Sequence, residues 1–279
     1  MRLLVTDGSD EMARWVEVTG LGRGVDQTGT LSPEGIEESL AALARFGVEM
    51  DRADVEQRMA IATSASRDAA NREEFFDLAE SALGVRPRLI TGEEEARYSY
   101  AGATAGLDAE RPIVVSDIGG GSTEFVTADG GLSIDIGSVR LTERAISSRP
   151  APAAELAAAR ALIADLFEDI DLRARTVVGV AGTWTSIAAI AQDLPEYNRE
   201  RVHGYRLERE ELEHVVDSLA VKTVVETAAI PALDPKRAPV ILAGSLVAAG
   251  VMDSLHATEV TVSEHDSLDG VAMELLALP

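Results

Sequence analysis

Three consecutive glycines lie near the middle of the chain, between two apolar segments. The segment IVVSDIGGGSTEFV at residues 113–126 places Gly119, Gly120 and Gly121 between β-forming residues, and the hydroxyl of Ser122 follows them. A turn without side chains tolerates unusual backbone angles and lets its N–H groups close on an anion. The pattern therefore predicts a phosphate-binding loop between two strands. The alternative interpretation is a flexible loop that binds nothing.

A carboxylate precedes this glycine loop. Asp117 ends the incoming strand, so its side chain is expected to project toward the loop and to hold a hard cation, directly or through water. The sequence has no cysteine, which excludes thiolate-ligated zinc and iron–sulfur centres, and its four histidines are scattered. Any metal site is therefore predicted to use oxygen ligands.

A second anion-binding residue is predicted at the end of an earlier strand. The strand expected at residues 58–63 leads into a polar loop that contains Arg67. In α/β sheets the carboxyl ends of strands face the ligand, and a guanidinium suits phosphate. The alternative is that Arg67 forms a local ion pair with Asp68 or Glu73.

A third candidate follows the strand predicted at residues 176–181. Gly182 and Thr183 come next and a helix is predicted from Ser186, so a helix N-terminus would point at this turn. The same physics that favours an anion at the glycine loop applies here. The alternative is an ordinary strand-to-helix turn.

Three glutamates open the helix that begins near residue 91. Thr91 and Glu94 have the spacing of a capping box, and acidic residues in a first turn are favoured by the helix dipole. Glu95 is not explained in this way. It shares a helix face with the small residues Ser99 and Gly102, so its carboxylate is a candidate to point into a cleft. The alternative is an ordinary solvated glutamate.

The composition limits the class of protein. A chain of 279 residues with 46% hydrophobic content can form two domains, predicted at residues 1–111 and 112–279. The net charge of −23 argues against broad electrostatic binding to DNA, RNA or an anionic membrane. No signal peptide or transmembrane segment is visible, so the expected location is the cytoplasm. The oligomeric state stays open, a homodimer included.

Five segments together resemble the Ppx/GppA phosphatase family of exopolyphosphatases and guanosine pentaphosphate phosphohydrolases. They occur in the family's order within residues 62–272 and read ATSASRDAANREEFF, ITGEEEARYSYAG, VSDIGGGSTEFV, GVAGTWTSIAAI and VSEHDSLDGVA. The resemblance implies an α/β protein with the actin-like ATPase fold of actin, Hsp70 and sugar kinases. In that fold two ribonuclease-H-like domains enclose a cleft, and this chain resembles the short form without a helical extension.

The resemblance also implies a role for each candidate residue. Glu95 matches the family's catalytic base. Asp117 and Glu124 match the carboxylates that act on a divalent cation, Mg²⁺ or Mn²⁺, or on the attacking water. Residues 119–122 match the loop that holds the terminal phosphates. Further residues implied to face the phosphates are Arg67, Gly182 and Thr183.

The implied activity is hydrolysis of terminal phosphoanhydride bonds by a metal-assisted water molecule. Inorganic polyphosphate is the first candidate substrate and guanosine pentaphosphate (pppGpp) the second. Two alternatives stay open: a phosphotransferase of the sugar or acetate kinase kind, and a catalytically impaired sensor of polyphosphate or nucleotides.

The N-terminus departs from the family pattern. The stretch RLLVTDG near residue 2 resembles EFVTADG after the glycine loop, which is a weak internal repeat. Family members carry a first strand and a first phosphate loop before the segment that matches RLLV. We therefore expect that the native protein begins upstream of Met1, or that the chain as given is a poor catalyst.

Overall fold

The computed structural model describes residues 1–8, 10–17, 19–22, 25–67 and 69–277. The chain forms two compact units. Unit 1 comprises Met1–Tyr98 and the segment from Ser267 onward, and unit 2 comprises Ser99–Asp266.

The described residues contain strands and helices interspersed along the chain, as in an α/β protein. The strands are β1 Arg2–Thr6, β2 Glu11–Val16, β3 Ile61–Ala62, β4 Arg88–Leu89, β5 Ile113–Ile118, β6 Thr123–Thr127, β7 Gly130–Ile134, β8 Thr176–Val180, β9 Arg206–Glu208 and β10 Glu259–Val262. The helices are α1 Val25–Thr28, α2 Pro33–Arg52, α3 Ser64–Arg67, α4 Arg72–Leu83, α5 Gly92–Thr104, α6 Ser138–Ala145, α7 Ala153–Leu166, α8 Ala181–Ala191, α9 Arg199–Val202, α10 Arg209–Ala220, α11 Val224–Ala228, α12 Ile241–Ser254 and α13 Ser267–Leu276. A short 3-10 helix spans Pro235–Arg237.

Unit 2 is organised around a six-stranded sheet with the order β7-β6-β5-β8-β10-β9. Strand β5 pairs antiparallel with β6 on one side and parallel with β8 on the other. Its apolar residues are buried, as expected for a strand in the middle of a sheet that is covered on both faces. The carboxyl ends of the parallel strands β5, β8 and β10 therefore lie along one edge.

Helix α12 is apolar around most of its circumference and is almost entirely buried in the core of unit 2. Its small residues allow close packing, because a Cβ at Gly250 would lie 2.2 Å from Ile163 of α7. Within the described ranges, no helix combines the length and the apolar character that crossing a bilayer requires.

Helix α8 begins earlier than the sequence predicts. It starts at Ala181, directly after β8, so no turn of Gly182 and Thr183 separates the strand from the helix. Ala181 makes the change of direction alone, with a φ of 64°. Trp184 then lies over Gly179 of the preceding strand and donates a hydrogen bond of 3.3 Å to Ser116 Oγ, which folds the helix back onto the sheet.

Unit 1 contains two separate two-stranded sheets. Strands β1 and β2 form an antiparallel hairpin, and β3 and β4 pair in parallel. Helices α2 and α4 supply most of the remaining core. The β1–β2 hairpin corresponds to β6–β7 in the internal repeat, whereas β5 has no counterpart among the described strands of unit 1.

The division into units differs from the predicted boundary after residue 111. Residues 99–111 fall in unit 2 and the last helix, α13, falls in unit 1. The reason is tertiary packing: a Cβ at Gly270 would lie 2.1 Å from the carbonyl oxygen of Tyr98, and Val271 is buried with Ile90. Leu278 and Pro279 of the predicted second domain lie outside the described residues.

Gly179→Ala is expected to destabilise the protein. The new Cβ would lie 2.6 Å from the buried Trp184 ring, and overpacking of this kind costs about 1–3 kcal/mol of the free energy of unfolding. Urea denaturation followed by circular dichroism measures the loss. Gly92→Ala is the control, because a Cβ there meets no atom within 4 Å. Equal losses in the two variants would contradict the packing argument.

Candidate active site

The glycine loop between β5 and β6 is held by the first turn of helix α6. The carbonyl oxygen of Gly119 accepts from the backbone N–H of Ser138 at 3.0 Å, and that of Gly120 accepts from Val139 and Arg140 at 2.9 and 3.0 Å. Gly137 makes this approach possible, since a Cβ there would lie 2.6 Å from the Gly119 oxygen. The amides at the start of α6 therefore fix the loop and are not available to a ligand.

The amides of the loop itself are available. The N–H of Gly119 donates to the Ser122 carbonyl at 3.0 Å, whereas those of Gly120, Gly121 and Ser122 have no acceptor within the described residues. None of the three glycines has a positive φ, so a left-handed backbone conformation is not the reason for glycine here. A Cβ at these positions would come no closer than 3.2 Å to any protein atom. The bare backbone leaves room beside the loop, as a phosphate-binding loop requires.

Two carboxylates face each other where the loop leaves the sheet. Asp117 of β5 lies directly opposite Glu124 of β6 in the antiparallel register, which places their Cβ atoms about 4.5–5.5 Å apart on one face. Glu124 accepts a hydrogen bond from Ser133 Oγ at 2.8 Å. Two carboxylates on one face offer the oxygen ligands that a hard divalent cation prefers, so the pair fits such a cation.

The protein supplies few ligands to such a cation. In the part of the chain that the structure describes, no three His, Asp or Glu side chains gather into a metal-binding group. Two carboxylates agree with Mg²⁺, which keeps several waters and binds phosphate oxygens as further ligands.

The second predicted anion site has a different structure from the expected one. Thr183 is 5% exposed, and its hydroxyl donates to the Ile118 carbonyl at 2.9 Å. This bond ties α8 to the end of β5, so the Thr183 hydroxyl donor is used within the fold, and phosphate binding at Thr183 stays a prediction. Gly182 stays half-buried at the first turn of α8.

Two arginines beside these loops were not found from the sequence. The Arg237 guanidinium lies against Gly182, because a Cβ there would fall 1.6 Å from one of its nitrogens. Arg140 Nη2 lies 3.4 Å from the Cβ position of Gly121, and Nη1 of the same side chain forms an ion pair of 2.9 Å with Asp135. Neither arginine belongs to a recognisable motif, and the local signal for Arg140 is its place in the first turn of helix α6, which follows the hairpin.

The segment after β10 holds a neighbouring segment of unit 2 in place. The Glu264 carboxylate accepts hydrogen bonds from the Tyr197 hydroxyl and from Arg199 Nε, the latter at 3.2 Å. Burial raises the pKa of Tyr197, and the neighbouring carboxylate of Glu264 raises it further. These contacts anchor the otherwise irregular segment near residue 197 to the edge of the sheet.

In unit 1 the parallel pairing of β3 and β4 brings two predicted residues together. Arg67 follows β3 and Glu95 follows β4, so both lie at the carboxyl edge of the same pair of strands. Arg67 Nη1 lies 3.0 Å from Glu95 Oε2 and 3.0 Å from the Ile90 carbonyl oxygen. The partner of Arg67 among the described residues is thus Glu95 and not Glu73, and Asp68 lies outside the described residues.

The three glutamates at the start of helix α5 make different contacts. Thr91 and Glu94 form the predicted capping box, with hydrogen bonds of 2.9 and 3.1 Å, and Glu94 also pairs with Arg88 at 2.6 Å. Glu93 is exposed. Glu94 is thereby used in holding the helix start, whereas Glu95 contacts the anion-binding candidate Arg67.

The predicted site residues thus form two groups. Arg67 and Glu95 are together in unit 1. In unit 2, pairing of β5 with β6 and β8 brings together Asp117, the glycine loop, Glu124 and the start of α8.

Comparisons with known proteins agree with this arrangement. Residues 6–278 match the model of the Ppx/GppA phosphatase family. Exopolyphosphatase 2 of Mycobacterium tuberculosis is 37% identical over 303 aligned residues, which cover 99% of this chain and 95% of that protein. A bifunctional 3-dehydroquinate synthase/phosphatase of Fusobacterium nucleatum is 29% identical and matches 95% of this chain with 42% of its own length.

The solved structures show the same fold. The Ppx/GppA phosphatase of Aquifex aeolicus, 29% identical, superposes with a TM-score of 0.88 over 99% of this chain and 95% of that one. This likeness confirms the predicted fold class, an α/β protein with the actin-like ATPase fold. From the family match over nearly its whole length, the chain belongs to the Ppx/GppA phosphatase family, whose members are phosphoanhydride hydrolases.

Proposed function

We propose that this protein releases the terminal phosphate of inorganic polyphosphate, with pppGpp as the second candidate substrate. The observation that carries the proposal is the pair Asp117 and Glu124, which lies at the base of a glycine loop with available amides. Carboxylates for a cation and amides for phosphate oxygens are the combination that a metal–phosphate complex needs. The likeness to exopolyphosphatase 2 supports polyphosphate over a nucleotide.

Asp117 and Glu124 would hold the divalent cation, Mg²⁺ or Mn²⁺. When bound, the cation would neutralise charge on the phosphate oxygens, which is its general contribution to phosphoryl transfer. Ser133 orients Glu124 through its 2.8 Å hydrogen bond. The amides of Gly120, Gly121 and Ser122 would donate to the terminal phosphates.

Glu95 would act as general base toward the attacking water. Its carboxylate is 34% exposed and has one partner among the described residues, Arg67, so Oε1 stays available to water. Arg67 would bind a phosphate oxygen of the chain. Positioning and electrostatic stabilisation dominate this kind of chemistry, so the mechanism needs no covalent intermediate.

Arg140 and Arg237 would complete the phosphate-binding surface of unit 2. Arg140 lies against Gly121 of the glycine loop and Arg237 against Gly182 in the first turn of α8, and each adds positive charge in a chain whose net charge is −23. Gly182 stays part of the proposal through its backbone and through its contact with Arg237, whereas the Thr183 side chain would act only by fixing α8.

A panel of substrates tests the proposal. We expect phosphate release from long and short polyphosphate to exceed release from pppGpp and ATP, and we expect no dependence on an added acceptor. Turnover that requires a sugar or acetate would indicate a phosphotransferase. Binding of polyphosphate without any release would indicate a sensor, and neither result is compatible with the proposed hydrolase.

Glu95→Gln is expected to lower kcat by roughly 10²–10⁴, the usual range for loss of a general base. Steady-state phosphate release measures the effect, and thermal melting checks that the variant is folded. Glu93→Gln is the matched control, because it removes the same charge from the same helix turn at an exposed position. A Glu95→Gln enzyme as active as Glu93→Gln would remove Glu95 from the mechanism.

Activity is expected to require a divalent cation and to stop in excess EDTA. Asp117→Asn and Glu124→Gln should raise the Mg²⁺ concentration for half-maximal rate by at least about tenfold, since even an outer partner of a metal ligand is worth that much. Asp129→Asn, at the exposed tip of the β6–β7 hairpin, is the control for charge alone. Full turnover in EDTA, or an equal shift in the control, contradicts the assignment.

A further inference from the structure

The hydrogen bonds of Arg67 fix its guanidinium more specifically than attraction of phosphate by a positive charge would require. Its Nη1 donates to two acceptors, the Ile90 carbonyl and Glu95 Oε2, both at 3.0 Å. The other two nitrogens of the guanidinium, Nη2 and Nε, have no hydrogen bond to any described residue. One edge of the guanidinium is thus used by the protein, and the other donors can serve a ligand.

The acceptor at Ile90 is rigid. Ile90 is 1% exposed, and its N–H extends the β3–β4 ladder through a 3.0 Å hydrogen bond to the Ala62 carbonyl. The backbone of Arg67 is held as well, because its N–H donates to the Thr63 carbonyl at 3.1 Å and its carbonyl accepts from Arg72 Nη1 at 3.1 Å. Arg67 is therefore held at the end of the parallel strand pair by hydrogen bonds of both its backbone and its guanidinium.

We propose that Arg67 is the positioning residue of Glu95 and couples the orientation of this carboxylate to phosphate binding. Nη1 holds Oε2, which leaves Oε1 for the attacking water, while Nη2 and Nε bind an oxygen of the substrate phosphate. One planar group then sets the distance between base and phosphate. The inference rests on the proposed function and goes beyond it, because charge attraction alone does not require this bond.

The geometry explains why lysine cannot replace this arginine. An ammonium is a compact point charge on a flexible stem, so it can attract phosphate but cannot hold a carbonyl, a carboxylate and a phosphate oxygen in one plane. Misplacement of a catalytic group by about 1 Å can cost roughly a hundredfold in rate. Arg67→Lys should therefore keep much of the binding and lose the orientation of Glu95.

The test is a double-mutant cycle with Arg67→Lys and Glu95→Gln, measured as kcat and KM for tripolyphosphate. In the wild-type background Arg67→Lys is expected to lower kcat by about ten- to a hundredfold. In the Glu95→Gln background the same change should lower kcat less than about twofold, because no base remains to be oriented. The change in KM should be the same in both backgrounds, since it reports phosphate binding.

Arg88→Lys is the matched control. Arg88 of β4 forms an ion pair of 2.6 Å with Glu94, which lies in the same turn of α5 as Glu95. Arg88 has no role in the proposed mechanism. It should leave kcat unchanged in both backgrounds. If Arg67→Lys proves unstable in thermal melting, Arg67→Gln provides the same comparison, with a larger rise in KM.

The outcomes separate the two proposals. An equal fall in kcat with and without Glu95 overturns the positioning role and leaves the hydrolase intact. A Glu95→Gln enzyme with wild-type kcat contradicts the proposed base, and with it the coupling.

Discussion

The pairing of β5 with two different neighbours determines the arrangement of unit 2. Its antiparallel partner β6 places Glu124 opposite Asp117, and its parallel partner β8 places the start of α8 beside the same strand end. Backbone hydrogen bonds thus place two carboxylates opposite each other on one face of the sheet, where their oxygens suit a hard cation. The pairing of β5 with β6 and β8 therefore brings together the glycine loop, the two carboxylates and Gly182.

Unit 1 uses the same construction on a smaller scale. The parallel pair β3–β4 ends in Arg67 and Ile90, and α5 begins immediately afterwards with Glu95 in its first turn. Main-chain hydrogen bonds fix the backbone at strand ends and helix starts, and the two hydrogen bonds of Arg67 Nη1 restrict its side chain before a ligand binds. This rigidity supports the proposal that one guanidinium both anchors a carboxylate and binds phosphate.

The chain has a net charge of −23, but positively charged groups lie beside the candidate phosphate-binding residues of unit 2. Arg140 lies against the glycine loop and Arg237 against the first turn of α8. Three amides of the glycine loop, which have no acceptor in the described chain, add further hydrogen-bond donors for an anion. Helix α6 contributes nothing further, since its first amides bind the carbonyls of the glycine loop. An acidic protein can accept a polyanion if compensation is confined to the few groups that touch it.

The sequence by itself determined the features that depend on neighbouring residues. The glycine loop after a buried strand, the capping box at Thr91 and the candidate Glu95 each follow from spacing within a few positions. Contacts between distant residues were decided by the tertiary structure alone. The Thr183 hydroxyl donates to a carbonyl 65 positions away, the Arg237 guanidinium lies against Gly182 from another helix, and α13 belongs to unit 1 because it packs on Tyr98. Such contacts depend on which surfaces the folded chain brings together, and local periodicity carries no information about that.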